Sequence, residues 1–140
     1  MSLLLLLRAL HVFGAILWIG GIASVSVVAA MLPADAQKGA SGALRGALVR
    51  IASPGMGLAW LGGLGMLLPN FTTVYAHAGW MHAKLALVFV AAALTGIITG
   101  AVRRAAAGEA ELPVNKVRAL GLGVMFIALA VVMLAILQPF

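Results

Sequence analysis

The stretch 79–102 begins "GWMHAKLALV", and its only ionisable side chains are those of His82 and Lys84. So long an apolar run predicts a transmembrane helix, because a bilayer core takes roughly 20 helical residues to cross. Three more apolar runs occupy about 3–31, 44–68 and 113–138. We therefore expect an all-α integral membrane protein in which 1–140 forms a single membrane domain of four transmembrane helices.

Prolines and short connections predict how these helices are arranged. Pro33, Pro69 and Pro139 follow the first, second and fourth runs, and the residue before a proline is disfavoured in a helix. The connections are short, which favours antiparallel neighbours. The sequence thus predicts an up-down bundle embedded in the lipid bilayer.

Composition excludes several classes of protein. The chain is 64% hydrophobic and only 9% charged, with a mean hydropathy of +1.18, which does not suit a soluble domain. Its net charge of +6 comes largely from basic residues beside apolar runs, so we expect no nucleic-acid binding. Cysteine is absent, which excludes disulfides, thiolate metal sites and cysteine nucleophiles.

The basic residues also predict an orientation in the membrane. Most of them lie at the first and third connections: Lys38, Arg45, Arg50, Arg103, Arg104, Lys116 and Arg118. The second connection, "NFTTVYAHAG", has no Lys or Arg. By the positive-inside rule the two basic connections are cytoplasmic. We expect a multi-pass protein of the bacterial inner membrane with both termini outside.

Several ionisable residues then fall at similar depth in the outer leaflet. Arg8 and His11 lie two to three turns into the first helix, and His82 and Lys84 lie in the first turns of the third. Polar groups at such positions usually face the bundle interior or a cavity. This cluster is therefore the candidate functional site.

His11 is the residue that is hardest to explain as an anchor. It shares a helical face with Arg8 and Trp18, and Gly14, Gly20 and Gly21 lie alongside. Glycines beside a histidine leave room for a flat, bulky ligand. Two interpretations are open: a hydrogen bond to a neighbouring helix, or ligation of a metal or cofactor by neutral imidazole.

Lys84 also has two interpretations. Its long stem allows its ammonium group to snorkel to the interface. At 100° per residue, however, Lys84 aligns within about 20° of Thr95 and about 60° of Thr99, a polar stripe that predicts an inward direction.

His82 lies on the opposite side of this helix, about 200° from Lys84. It shares its face with Gly96 and Gly100, a GxxxG spacing that permits close helix approach and suits a homo-oligomer. The alternative is an interfacial histidine beside Trp80.

The available side chains favour haem over other cofactors. The only acids are Asp35, Glu109 and Glu111, all near the basic connections, which makes a zinc or di-iron site implausible. Haem needs one or two axial ligands and an apolar slot, and Arg8 could pair with a propionate. Copper held by histidine and methionine is the rival.

Three segments carry a family resemblance: "ALHVFGAILWIGG" (9–21), "GWMHAKLALV" (79–88) and "LQPF" (137–140). Together they resemble the HemJ type of bacterial protoporphyrinogen IX oxidase, a family of small four-helix membrane proteins that bind haem b. The resemblance implies that His11 and Lys84 ligate the haem, with Trp18 beside them, and that protoporphyrinogen, a tetrapyrrole, is oxidised. From the shared depth of these residues we expect His82 as the alternative second ligand. If the protein is an enzyme, we expect electrons to pass to a quinone, with Lys84 and Arg8 as the catalytic residues.

The chain also departs from that family. Residues 22–32 read "IASVSVVAAML", where the family carries Tyr-Leu-Pro-Arg and a further histidine, and Gln138 stands where the family tends to have lysine. Whether the protein is an enzyme is thus left open. The alternatives are a non-enzymatic haem protein that relays electrons or carries haem, and a copper-handling or structural membrane protein. The copper alternative resembles the copper-resistance D-type families, which have similar "H…W.GG" first helices.

Overall fold

The computed structural model describes residues 2–140, and this part of the chain is helical with no strand. Its five α-helices are α1 (Leu3–Met31), α2 (Ala34–Ala47), α3 (Ser53–Leu67), α4 (Gly79–Ala106) and α5 (Val114–Leu137). The bounds predicted for the first helix are confirmed, and the fourth predicted helix differs at each end by one residue. The third extends to Ala106, past the predicted end at 102.

The second predicted helix, 44–68, is much longer in the structure. A continuous helical run spans Ala34–Tyr75, so the predicted connection at 33–43 is wrong. Pro33 caps α2, Asp35 lies in its first turn, and Ser41 donates a hydrogen bond to the Gln37 carbonyl. A carboxylate near a helix N-terminus is favourable, so this polar segment is helical although it is not apolar.

Two π-helical turns and a 3-10 turn interrupt this long run. The first π-helix, Leu48–Ala52, ends two residues before Pro54, and the Ser53 N–H donates to the Leu48 carbonyl. Proline lacks the N–H that an α-helix needs at this point, which explains a local change of hydrogen-bond pattern. At the other end, the 3-10 turn Leu68–Asn70 and the π-helix Phe71–Tyr75 carry the chain past Pro69, where the sequence predicted a stop.

The long run changes its packing partner at the first π-helix. Before it, α2 packs against α4; after it, α3 packs against α1. Helix α1 also packs against α5, and α5 packs against α4. The result is the four-helix up-down bundle that the sequence predicted, with α3 and α4 in little contact.

Small residues allow α1 and α3 to approach closely. A Cβ added at Gly14 would lie 2.6 Å from the Gly55 carbonyl oxygen, and one added at Gly62 would lie 2.6 Å from the backbone nitrogen of His11. Gly21 packs in the same way against Ala52. Such spacing is typical of helix association in membranes, where small side chains let backbones come into contact.

The core is concentrated towards one end of the bundle. We call the end that holds the basic residues of both short connections the basic end, and the end where α1 begins and α5 ends the terminal end. Trp18, Ile22, Val25, Ile98, Val102, Val117 and Val124 are buried towards the basic end. Within the described chain, by contrast, Leu3–Phe13 and Met125–Leu137 contribute no buried side chain.

Four helical runs are long and apolar enough to cross a membrane. Many of their large side chains are exposed, among them Leu61, Phe89 and Phe126. Exposed apolar side chains on helices with satisfied backbones suit contact with lipid. The fold therefore fits a multi-pass membrane protein.

Candidate functional site

His11 is fixed between α1 and α3. Its Nδ1 lies 2.7 Å from the carbonyl oxygen of Ala59. Because a carbonyl oxygen can only accept, Nδ1 carries the proton, and whenever the ring is neutral its lone pair is on Nε2. The ring is half-buried. This tautomer is the one found in many metal-binding histidines, which donate their other N–H to a backbone carbonyl or carboxylate.

The glycine pair of α3 shapes the space for this imidazole. A Cβ at Gly63 would lie 2.9 Å from the His11 Nδ1 and 3.0 Å from its Cε1. Gly62 contacts the backbone of the same residue. The ring thus rests on a surface without side chains, and the sequence offered a signal for it, because "LGGLG" (61–65) is unusual inside a helix.

The glycines of α1 do not provide the slot that the sequence suggested. Gly14 and Gly21 are buried against α3, so backbone atoms fill the space beside them. Only Gly20 has no atom within 4 Å of an added Cβ, and it is exposed. The expectation of room for a flat ligand beside Gly14 and Gly21 is therefore wrong, because helix packing takes up that room.

Trp18 lies deeper in the bundle on the same face of α1. It is 4% exposed, and its Nε1–H donates a 2.9 Å hydrogen bond to the Thr95 hydroxyl of α4. Thr95 is also buried. Of the polar stripe predicted on the third helix, Thr95 meets α1 in the middle of the bundle, and its partner was not revealed by the sequence.

This hydrogen bond aligns the two helices along the bundle axis. From Trp18, His11 lies about 10 Å and Arg8 about 15 Å towards the terminal end, at 1.5 Å per residue. From Thr95, Lys84 lies about 16 Å in the same direction. Arg8 and Lys84 are therefore at nearly one level, with His11 deeper by about one helical turn. Arg8 is exposed and Lys84 half-buried.

His82 lies at the surface near the terminal end. It is exposed, its Nδ1 lies 3.0 Å from the Ala78 carbonyl of the preceding turn, and its ring meets Phe71 edge-on at 6.2 Å. Trp80 and Tyr75 form another edge-on pair close by. These contacts suit the interfacial interpretation of His82, since aromatic rings cluster at membrane interfaces.

The C-terminal residues fold back onto the start of α4. The Trp80 N–H donates to the Phe140 carbonyl at 3.0 Å, and an added Cβ at Gly79 would lie 2.7 Å from the Phe140 ring. Gln138 turns the chain with a positive φ of 44°. Two of the three segments that carry the family resemblance are therefore in contact.

The candidate site offers single side chains that can ligate a metal, but these do not form a cluster of ligands around one point. Within residues 2–140, no group of three or more His, Asp or Glu side chains could hold a metal ion. A ligand that needs one or two protein donors is compatible with this arrangement, and a three-histidine metal site is not.

Comparison with protein-family models, with curated proteins and with solved structures finds no match to this chain.

Proposed function

We propose that this chain is an integral membrane protein that binds haem b with His11 as an axial ligand. The observation that carries the proposal is the hydrogen bond from His11 Nδ1 to the Ala59 carbonyl, which leaves the Nε2 lone pair for iron. A backbone carbonyl that accepts from the other ring nitrogen in this way orients the imidazole and raises its basicity. Haem, when bound, supplies a one-electron redox centre.

Lys84 is the proposed second ligand, with His82 as the alternative. Lys84 is half-buried and lies within about one turn of the level of His11. A lysine must be deprotonated to ligate. His82 is exposed and shares its Nδ1 proton with its own helix, which makes it the weaker choice.

Arg8 and Trp18 complete the proposed environment. Arg8 lies one turn from His11 on the same face of α1, where its guanidinium could pair with a propionate. Trp18 lies about 10 Å deeper on the same face of α1, and its indole is held in one orientation by the hydrogen bond to Thr95.

The proposed activity is redox chemistry related to the oxidation of protoporphyrinogen IX, with electrons passed to a quinone. It is supported by the family resemblance and by the contact between its "GWMH" and "QPF" segments. Arg8 and Lys84 would hold and orient the tetrapyrrole carboxylates as catalytic residues. The proposed location is the bacterial inner membrane with both termini outside, as the basic residues predict.

One observation favours a haem relay or carrier without this activity. The part of α1 beyond Trp18 that faces the bundle consists of Ile22, Val25, Ser26 and Ala29, without the charged groups expected of the family. Turnover of protoporphyrinogen by the purified protein separates the two functions: turnover supports the oxidase, and its absence in a haem-loaded preparation supports the relay.

The first experiment is a visible absorption spectrum of the detergent-purified protein, oxidised and reduced, with a pyridine haemochrome assay. We expect a Soret band, sharp reduced α and β bands and one haem b per chain. His11→Ala should abolish the haem, whereas His77→Ala, at an exposed position outside the site, should retain it.

Full haem occupancy in His11→Ala would contradict this ligand assignment. A wild-type protein without a Soret band after addition of haem would contradict haem binding altogether. Metal analysis of the same preparation that finds copper and no iron would favour the copper-handling alternative.

A further inference from the structure

A groove between α3 and α4 is separate from His11, Arg8 and Lys84, although Thr95, the partner of Trp18, is one of its lining residues. It has a volume of about 300 Å³ and opens at the surface of the bundle towards the basic end. On α4 it follows one stripe from Ala92 to Arg103, about 16 Å long at 1.5 Å per residue. Ser53 and Met56 of α3 form its other wall.

The groove exists because the long helical run changes partner at the π-helix Leu48–Ala52. The run packs on α4 before this segment and on α1 after it, so α3 leaves α4 where the groove begins. Gly96 and Gly100 widen the space. An added Cβ would meet no atom within 4 Å at Gly96, and only the Arg104 guanidinium, at 3.6 Å, at Gly100. The GxxxG pair of α4 is thus not used for packing against α3.

The lining changes character along its length. Ala92, Gly96 and Met56 are apolar lining residues nearer the middle of the bundle, whereas Arg103 lines the groove at its end nearest the basic connections. Ser53 and Thr99, which carry hydroxyl groups, also line it. Among the described lining residues none is acidic. A groove lined by apolar residues and, nearer the basic end, by a cation and hydroxyl donors suits an amphiphile with an anionic head.

Charge at this end of the bundle points to the same ligand class. The basic end holds seven basic side chains, Lys38, Arg45, Arg50, Arg103, Arg104, Lys116 and Arg118, against the three acids Asp35, Glu109 and Glu111. Basic pockets between transmembrane helices bind anionic lipid head groups, and arginine pairs with phosphate through two parallel hydrogen bonds.

We propose that this groove binds an anionic phospholipid. One acyl chain lies along Gly96 and Gly100 of α4, and the phosphate is held by Arg103 with the Ser53 and Thr99 hydroxyls. The site requires no haem, and its test is independent of the proposed function.

The test is a thermal-unfolding titration of the detergent-purified full-length protein with three probes. Phosphatidylglycerol has both the chains and the anionic head, phosphatidylcholine has the same chains with a zwitterionic head, and glycerol phosphate has the head alone. We expect a saturable rise in Tm with phosphatidylglycerol, a smaller one with phosphatidylcholine, and none with glycerol phosphate.

Two variants locate the effect in the groove. Gly96→Leu fills the apolar part and should abolish the phosphatidylglycerol response, whereas Gly20→Leu, at an exposed glycine of α1 with equal free space, should retain it. Arg103 is exposed, so we expect Arg103→Gln to fold normally and to weaken the apparent affinity for phosphatidylglycerol about fivefold. Arg118→Gln removes a charge from the same end outside the groove and should have a smaller effect.

Equal responses to the two phospholipids would overturn the assignment of an anionic head. A full rise in Tm with glycerol phosphate would show that the groove binds a free phosphate compound and does not need the lipid chains. Unchanged phosphatidylglycerol binding in both Gly96→Leu and Arg103→Gln would show that the lipid does not bind in this groove.

Discussion

Trp18 and Thr95 join α1 to α4 through a buried hydrogen bond of 2.9 Å, although each of these helices packs mainly against other neighbours. The indole N–H and the hydroxyl are both withdrawn from lipid and water. A polar pair at this depth stabilises one relative position of the two helices, because any other position leaves both groups without partners.

Thr95→Val should therefore destabilise the bundle. The substitution keeps the shape of the side chain but leaves the Trp18 N–H buried without an acceptor, which costs about 1–2 kcal/mol. The measurement is reversible unfolding in mixed micelles of SDS and a mild detergent, followed by circular dichroism. Thr99→Val is the control, since Thr99 is only half-buried and forms no side-chain hydrogen bond within the described chain. Equal stability of the Thr95 variant and the wild type would mean that the bond contributes nothing.

Gly63→Ala should disturb the His11 imidazole. The new methyl group would lie 2.9 Å from Nδ1, so the ring must rotate and its bond to Ala59 lengthens. If His11 ligates haem, loss of this support should lower haem affinity about tenfold. Gly57→Ala, on the same helix with free space around it, is the matched control. Nitrogen NMR of labelled histidine reports the Nδ1 proton directly, with or without haem, and an unchanged Nδ1 signal in Gly63→Ala would show that the ring tolerates the methyl group.

Gly121→Ala should weaken the contact between α1 and α5. An added Cβ would lie 2.5 Å from the Cβ of Ser26, and Ser26 is buried, so its side chain has little room to move. Overpacking of this kind typically costs about 1–3 kcal/mol. Gly123→Ala, whose nearest neighbour would be 3.5 Å away, should be close to neutral in the same unfolding assay. Ser26→Gly should rescue Gly121→Ala, and failure of this rescue would place the strain elsewhere.

The predicted orientation can be tested because the chain has no cysteine. Thr72→Cys lies in the connection at the terminal end and Ala110→Cys in the connection between α4 and α5, and both positions are exposed. A membrane-impermeant maleimide should label the first variant in intact spheroplasts and the second only after permeabilisation. The reverse pattern would place the termini in the cytoplasm.

The length of the apolar runs predicted the helix bounds well wherever a helix ends at the end of such a run. The first helix has its predicted bounds because both ends lie where an apolar run stops. Helix α2 was missed because its residues are polar; Asp35 in its first turn favours it, and Ser41 and Leu44 are buried in the bundle. Apolar content does not report these effects.

The candidate site was predicted only in part. The spacing of Arg8, His11 and Trp18 placed them on one face of α1. The partner of His11, however, is the Ala59 carbonyl, and every residue has such a group, so no side-chain pattern could identify it. The roles of Gly14 and Gly21 were misjudged for a related reason: a glycine leaves space, and only the arrangement of the helices shows what fills it.

The uneven distribution of the core bears on how the molecule can move. Met125–Leu137 buries no side chain, so this part of α5 has few buried contacts, whereas Leu3–Phe13 stays joined to α3 through the His11–Ala59 hydrogen bond and the contact of Gly62 with the backbone of Leu7 and His11. Segments with few buried contacts open at low free energy. The terminal end of α5 should therefore open at a lower free energy than the basic end, where most of the core residues lie. A local opening of α5 at the terminal end would therefore leave the basic end folded.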